Sequence, residues 1–347
     1  MRFSSPLARG GWFALAILLL WTTACGSAAQ TPGVATPASA ASGAASGKKM
    51  VVVATTTIIA DLAKNVAGDT ATVTSLLGPG VDPHTFQPAP RDSQILASAD
   101  LILENGLGYE EWLDQVIQNS GTKGRRVIVS KGLTPRRAEG AAEIHDAASF
   151  KAEDDESDHM DQVTLLPAQQ LAYDPHLWLD AQAAMKYVEN IRDALVQYDI
   201  RNAAAYRANA QPYLDQLKEL DAYLTQQANS LPQERRKLVT NHETFGYFAA
   251  RYGFEVVGTV IPSVSAEAQP SAQDVARLVD KVKAQQVPAV FAESTVNPRL
   301  AEQIARDAGV KVVTTLYTDS LSEAGKPADS YIKLMRYDMD EIVKALK

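Results

Sequence analysis

The chain has 347 residues, of which 46% are hydrophobic, with a net charge of −8 and a sequence pI near 5.2. That length and apolar content can bury one large core or two medium ones, which excludes a disordered chain. The acidic balance argues against a nucleic-acid partner and leaves no basic patch for a membrane surface.

At the start, MRFSSPLARG carries Arg2 and Arg9, and the apolar run GWFALAILLLW behind it is too short to span a bilayer. Together they predict a signal peptide over residues 1–24. The run stops at TTACGS, where Cys25 is the only cysteine of the chain. A lone cysteine in an exported protein has no internal disulfide partner. Behind Ala24 it fits a lipobox, although Thr22 stands where Leu is usual. Cys25 is then the lipidated N-terminus, and two or more acyl chains hold such a protein on a membrane face. Residues 26–48 are Ala, Ser, Gly and Pro with almost no large apolar side chain. Residues 25–48 are therefore expected to be a lipidated cysteine and a flexible tether, with folded protein from Lys49.

From there strands and helices alternate. MVVVATTT is a β-branched run, IIADLAKNVAG has helical spacing, and ATVTSLLG is a second strand followed by the loop GPGVDPH. PRDSQILASA predicts a helix, DLILENG a strand, EEWLDQVIQNS a helix and RRVIVS a strand. Short strands without polar alternation are buried on both faces, as in a parallel sheet. Residues 138–170 break this rhythm with an acidic, aperiodic stretch holding His145 and His159. It is either a solvated surface loop or a weak metal-collecting one. Next, Ala184, Val188, Ile191 and Leu195 share one helix face. Tyr206, Ala210, Tyr213, Leu217, Leu220 and Leu224 share another, with Pro212 predicting a kink or restart. The βα rhythm resumes with KLVT, NHETFGYFAARYG, EVVGTVI, a helix capped by Ser271 and Asp274, PAVFAEST, NPRLAEQIARDAG, VKVVTTL and a last helix from about Asp329. The expected organisation is an α/β fold of two βα lobes with parallel sheets. An N-terminal lobe spans 49–200, a connecting helix 201–229 and a C-terminal lobe 230–347.

Five histidines are present, and two of them end the tripeptide Asp-Pro-His, in VDPHTFQPAP and YDPHLWLD. By composition a given His follows Asp-Pro roughly once in 400 times, so two rigid turns each presenting an imidazole are expected. His84 follows a first-lobe strand, His176 follows the acidic loop, His242 follows KLVT and Asp319 follows VKVVTTL. Ligands of open α/β sheets bind beyond the carboxyl ends of strands. Three neutral imidazoles and a carboxylate are a complete tetrahedral set for Zn²⁺. Taken singly, His242 can instead cap the helix after it, and Asp319 can be an ordinary turn residue. His242-Glu243 begins like a zinc-protease HExxH motif, but Gly246 occupies the final position. The sequence contains no GxSxG, Walker loop or GxGxxG.

The segments VVVATTTIIADLAKNVAGD, GPGVDPHTFQPAPRD, SADLILENGLGYEEWL, DPHLWLD, TNHETFGYFAARYG, FAESTVNPR and LYTDSLSEAG together resemble one family over residues 50–347. It is the family of metal-binding solute-binding lipoproteins of zinc and manganese ABC importers. The resemblance implies two lobes joined by a rigid long helix, with a buried metal held by His84 and His176 from the first and His242 and Asp319 from the second. It gives Glu293 a supporting or inter-lobe role. Partners implied are an importer permease, its ATPase subunit and, through the lipid, the outer face of the cytoplasmic membrane, for a monomer that catalyses nothing. A His at position 242 is similar to zinc binders and a Glu there to manganese binders, so Zn²⁺ is expected, with Mn²⁺ or iron as alternatives. The other classes to weigh are a metal-dependent hydrolase and a surface adhesin.

Overall fold

The computed structural model describes residues 48–138, 173–264 and 269–347. The signal peptide, Cys25, the tether and the acidic loop with His145 and His159 lie outside the described residues.

The first lobe is a four-stranded, wholly parallel sheet in the order β2-β1-β3-β4, from β1 (Val51–Ala54), β2 (Thr72–Ser75), β3 (Leu101–Glu104) and β4 (Arg125–Ile128). β3 is buried at every residue, as expected of a strand covered on both faces. Helices α1 (Thr57–Ala67), α2 (Pro90–Ala97) and α3 (Leu113–Ser120) connect the strands. The second lobe holds two parallel pairs: β5 (Lys237–Thr240) with β6 (Glu255–Thr259), and β7 (Ala289–Glu293) with β8 (Lys311–Leu316). β5 lies against β7, so their carboxyl ends come together.

Most strands are shorter than their apolar runs in the sequence, although β5 matches KLVT residue for residue. Leu76 and Leu77 are buried yet lie past the end of β2, with their amides still donating to the Ala54 and Thr55 carbonyls at 2.8 and 3.1 Å. Thr57 starts α1, since Thr56 caps that helix by accepting from the Ile59 amide at 3.4 Å. The Ser271 and Asp274 pair forms the expected reciprocal cap of α7 (Ala272–Ala284).

Two helices lie between the lobes in sequence, α4 (Ala181–Tyr198) and α5 (Ala203–Asn229). The two expected faces, Ala184 to Leu195 and Tyr206 to Leu224, are the buried ones. α5 runs on through Pro212 without a restart. Pro212 and Ala208 both face solvent, so water can serve the carbonyl that the missing Pro N–H leaves unpaired. α5 packs on α1, α4 and the last helix, α9 (Tyr331–Leu346). One apolar core runs through all four, with Ile58, Val188, Leu217 and Met335 among its members. Each lobe adds a core of its own, around Val53, Leu96 and Ile102 in the first and Val239, Val282 and Val290 in the second. None of the described helices is long and apolar enough to cross a membrane.

Candidate metal centre

Each Asp-Pro-His tripeptide builds the same turn. Asp82 Oδ1 accepts the His84 amide at 2.8 Å, and Asp174 Oδ1 accepts the His176 amide at 3.0 Å. Proline between them fixes φ, so each turn is locked at both ends. The proline carbonyls are also held. Trp112 Nε1 donates to Pro83 at 3.0 Å, and Asn105 Nδ2 donates to Pro175 at 3.0 Å. In the second lobe His242 lies two residues past β5, and Asp319 three past β8.

These four residues converge. One donor atom from each of His84, His176, His242 and Asp319 lies within 4.8 Å of all the others. His176 Nε2 sits 3.2 Å from His84 Nε2, 3.3 Å from His242 Nε2 and 3.4 Å from Asp319 Oδ1. Tetrahedral zinc with bonds of roughly 2.0–2.1 Å places neighbouring ligand atoms about 3.3–3.4 Å apart. The spacing therefore suits one small cation, and a single ring proton cannot satisfy three converging Nε2 atoms at once. His145 and His159 are the two histidines that fall outside the described residues.

Carboxylates hold two of the rings from behind. His176 Nδ1 donates to Asp174 Oδ1 at 2.8 Å, and His242 Nδ1 donates to Glu293 Oε2 at 2.5 Å. This fixes the tautomer with a bare Nε2 toward the centre and makes it more basic. Glu293 ends β7, and its other oxygen accepts the amides of Asn241 and His242 at 3.2 and 3.4 Å. His242 is no helix cap, since α6 (Gly246–Tyr252) begins four residues later. Gly246 is needed there, because an added Cβ would meet Asp174 Oδ2 at 2.7 Å.

Burial works against charge on all three rings. His84 has no carboxylate on its Nδ1 among the described contacts, and burial pushes it down to about 3, despite Asp319. For His176 burial acts the same way, but Asp174 and Asp319 outweigh it and push the ring up to about 10. His242 is also raised, with Glu293 overcoming burial. Burial would raise Asp319, but His176, His242 and His84 hold it well below the ordinary carboxylate range. Without metal, the centre thus keeps protons on imidazoles set against the carboxylates of Asp174, Glu293 and Asp319. A divalent cation can replace two such protons with no change in local charge. His176, His242 and Asp319 are buried, while His84 is half-buried on its loop.

Sequence reasoning missed Tyr109, whose hydroxyl donates to Asp319 Oδ1 at 3.3 Å, and Trp178, whose Nε1 donates to the Thr318 carbonyl at 2.7 Å. Both tie the first lobe to the Asp319 turn. The signal available for Tyr109 was its place just past a strand end in NGLGYE, a position already weighted for His and Asp.

Two βα lobes that bring together four residues able to hold a metal ion define a substrate-binding protein for a metal. The chain belongs to the family described as zinc-uptake complex component A, periplasmic (ZnuA), which matches residues 52–345, and is thus the binding component of a metal-uptake complex. Its relatives include the manganese-binding lipoprotein MntA of Halalkalibacterium halodurans, 35% identical over 289 residues that cover 83% of this chain and 86% of that one. The iron-binding protein YfeA of Yersinia pestis is 35% identical over 291 residues, covering 83% of each. Among solved structures, the periplasmic zinc-binding protein TroA of Treponema pallidum superposes with a TM-score of 0.71 at 30% identity, over 86% of this chain and 99% of that one.

Proposed function

We propose that this protein captures Zn²⁺ outside the cytoplasmic membrane and delivers it to the permease of an ABC importer, whose separate ATPase subunit supplies the energy. The observation that carries the reading is the convergence of three imidazole nitrogens and one carboxylate within 4.8 Å of one another, with His176 Nε2 3.2–3.4 Å from the other three. Nitrogen-rich sets suit zinc better than Mn²⁺, which prefers oxygen ligands and more of them. His84, His176, His242 and Asp319 are the ligands, and Glu293 orients His242. Four protein ligands leave no position for an activated water, which favours a carrier over a hydrolase. Release requires His84 and His176 to part from His242 and Asp319. Cys25 carries the lipid that keeps the protein beside its permease, and residues 26–48 are the tether. The connecting role falls to α5, whose packing on both lobes limits their relative motion to a small tilt.

Manganese is the second reading, favoured by the relative named as a manganese-binding lipoprotein. Elemental analysis of full-length protein purified without added metal, followed by competition between Zn²⁺ and Mn²⁺, separates the two. One zinc per chain that excess Mn²⁺ does not displace is expected. Preferential loading with manganese would replace the zinc reading.

A further inference from the structure

Tyr109 stands at the end of a distorted loop. Gly106, Leu107 and Gly108 follow β3 with φ of 80°, 59° and 79°, three left-handed residues in succession. Leu107 pays a steric cost for that conformation, and such cost persists only where the surroundings impose it. Here Glu110 imposes it: its carboxylate accepts the amides of Asn105 and Gly106 at 2.7 and 3.1 Å and the Thr55 hydroxyl at 2.7 Å. The result places a buried phenol among the ligands. The Tyr109 ring meets His84 edge-on with centroids 4.9 Å apart and packs on Trp178 at 4.8 Å. Its hydroxyl crosses from the first lobe to the second and donates to Asp319 Oδ1 at 3.3 Å. The other carboxylate oxygen, Oδ2, accepts from Thr318 Oγ1 at 2.8 Å.

We propose that Tyr109 is a positioning residue that sets metal preference through Asp319, by holding Oδ1, the oxygen nearest His176 Nε2, so that the carboxylate cannot turn to offer both oxygens to a larger ion. With one hydroxyl on each oxygen, Asp319 is fully oriented before metal arrives. A tetrahedral ion needs one oxygen from it. Mn²⁺ accepts six or more ligands and gains from a carboxylate free to turn and bind through both oxygens. The hydroxyl is also a link between lobes, so it slows the parting that releases the ion. This inference rests on the four-ligand reading of the centre but not on which metal is the natural cargo, because its readout is a change of ratio from wild type.

The test is Y109F in the full chain, titrated with Zn²⁺ alone, with Mn²⁺ alone and with both in competition. Loss of one long hydrogen bond to a charged acceptor is expected to weaken zinc about fivefold and speed its release by a similar factor. Manganese is expected to hold or tighten, so that the zinc-to-manganese affinity ratio falls at least about fivefold. X-ray absorption of the manganese-loaded variant should show more oxygen ligands than wild type. T318V, which removes the donor on the other oxygen, should shift the ratio the same way and serves if Y109F folds poorly. An unchanged ratio in both variants, or equal weakening of both metals, overturns the proposal. If D319A still binds either ion as tightly as wild type, the fault lies with the ligand assignment instead.

Discussion

Glu293→Gln changes one oxygen to an NH₂ group at a site that is 1% exposed. In the native protein Oε2 accepts from the His242 ring, and Oε1 accepts from two backbone amides. Glutamine has one acceptor oxygen. Turned one way, its NH₂ faces the ring N–H; turned the other, it faces the backbone N–H groups. Either arrangement strands a buried donor and removes a charge-assisted bond, at a cost of about 2 kcal/mol. Part of that cost already weakens the unloaded protein. The part felt by the metal is the loss of a fixed, more basic Nε2, expected to lower zinc affinity roughly 10- to 100-fold. Protons act in the opposite sense. Glu293 raises the His242 pKa against the effect of burial, so the variant ring holds its proton less tightly and metal meets less competition at low pH. The loss should therefore be largest near pH 8 and shrink toward pH 6. Competition against a chromogenic chelator at both values measures it. Zinc affinity within twofold of wild type at pH 8 would show that Glu293 does not support a ligand.

Zinc affinity should fall at least about 100-fold between pH 7.5 and 5.5, since His176, pushed up to about 10, exchanges a proton for the metal throughout that range and His242, also raised, adds a second over part of it; a flat profile would contradict a three-imidazole centre. In the unloaded protein the same raised pKa contributes stability that is fully present below the ordinary histidine value of 6.5. That contribution is lost as pH rises toward 10, and unfolding midpoints across that window report it. Deleting residues 140–165 should leave one tight metal per chain, because the flanks are joined by the Arg137–Tyr173 bridge and by the Asp174 amide donating to Arg136 at 2.9 Å. Loss of that stoichiometric site would place a primary ligand in the segment. His242→Glu should move preference from zinc toward manganese, and His242→Ala should weaken both ions, as read by competitive titration. Cys25→Ser should leave an uncleaved or soluble precursor; membrane association of the processed variant would end the lipoprotein reading.

The repeated Asp-Pro-His was legible because one physical device, a side-chain oxygen accepting an amide two residues on, is written in three adjacent letters. His242 and Asp319 were legible as polar residues just past apolar strands. The direction of each ring was not legible, because it depends on partners far away in the chain. Glu293 reaches His242 across 51 residues, and Tyr109 reaches Asp319 across 210. Periodicity also overran the true elements. EEWLDQVIQNS carries helical spacing from its first residue, yet α3 begins only at Leu113. The Glu110 carboxylate is bound back to the amides of Asn105 and Gly106, which holds the chain there in a turn. NHETF likewise stays out of α6, and the amides of Asn241 and His242 go to Glu293.

The central claim is a closed set of four protein ligands made of three imidazoles and one carboxylate. X-ray absorption at the zinc edge of the full-length protein, loaded with one equivalent of Zn²⁺, tests it directly. Four nitrogen or oxygen neighbours at roughly 2.0–2.1 Å are expected, with outer-shell scattering from three imidazole rings and no sulfur. A five- or six-coordinate ion, or scattering from fewer than three rings, would contradict it.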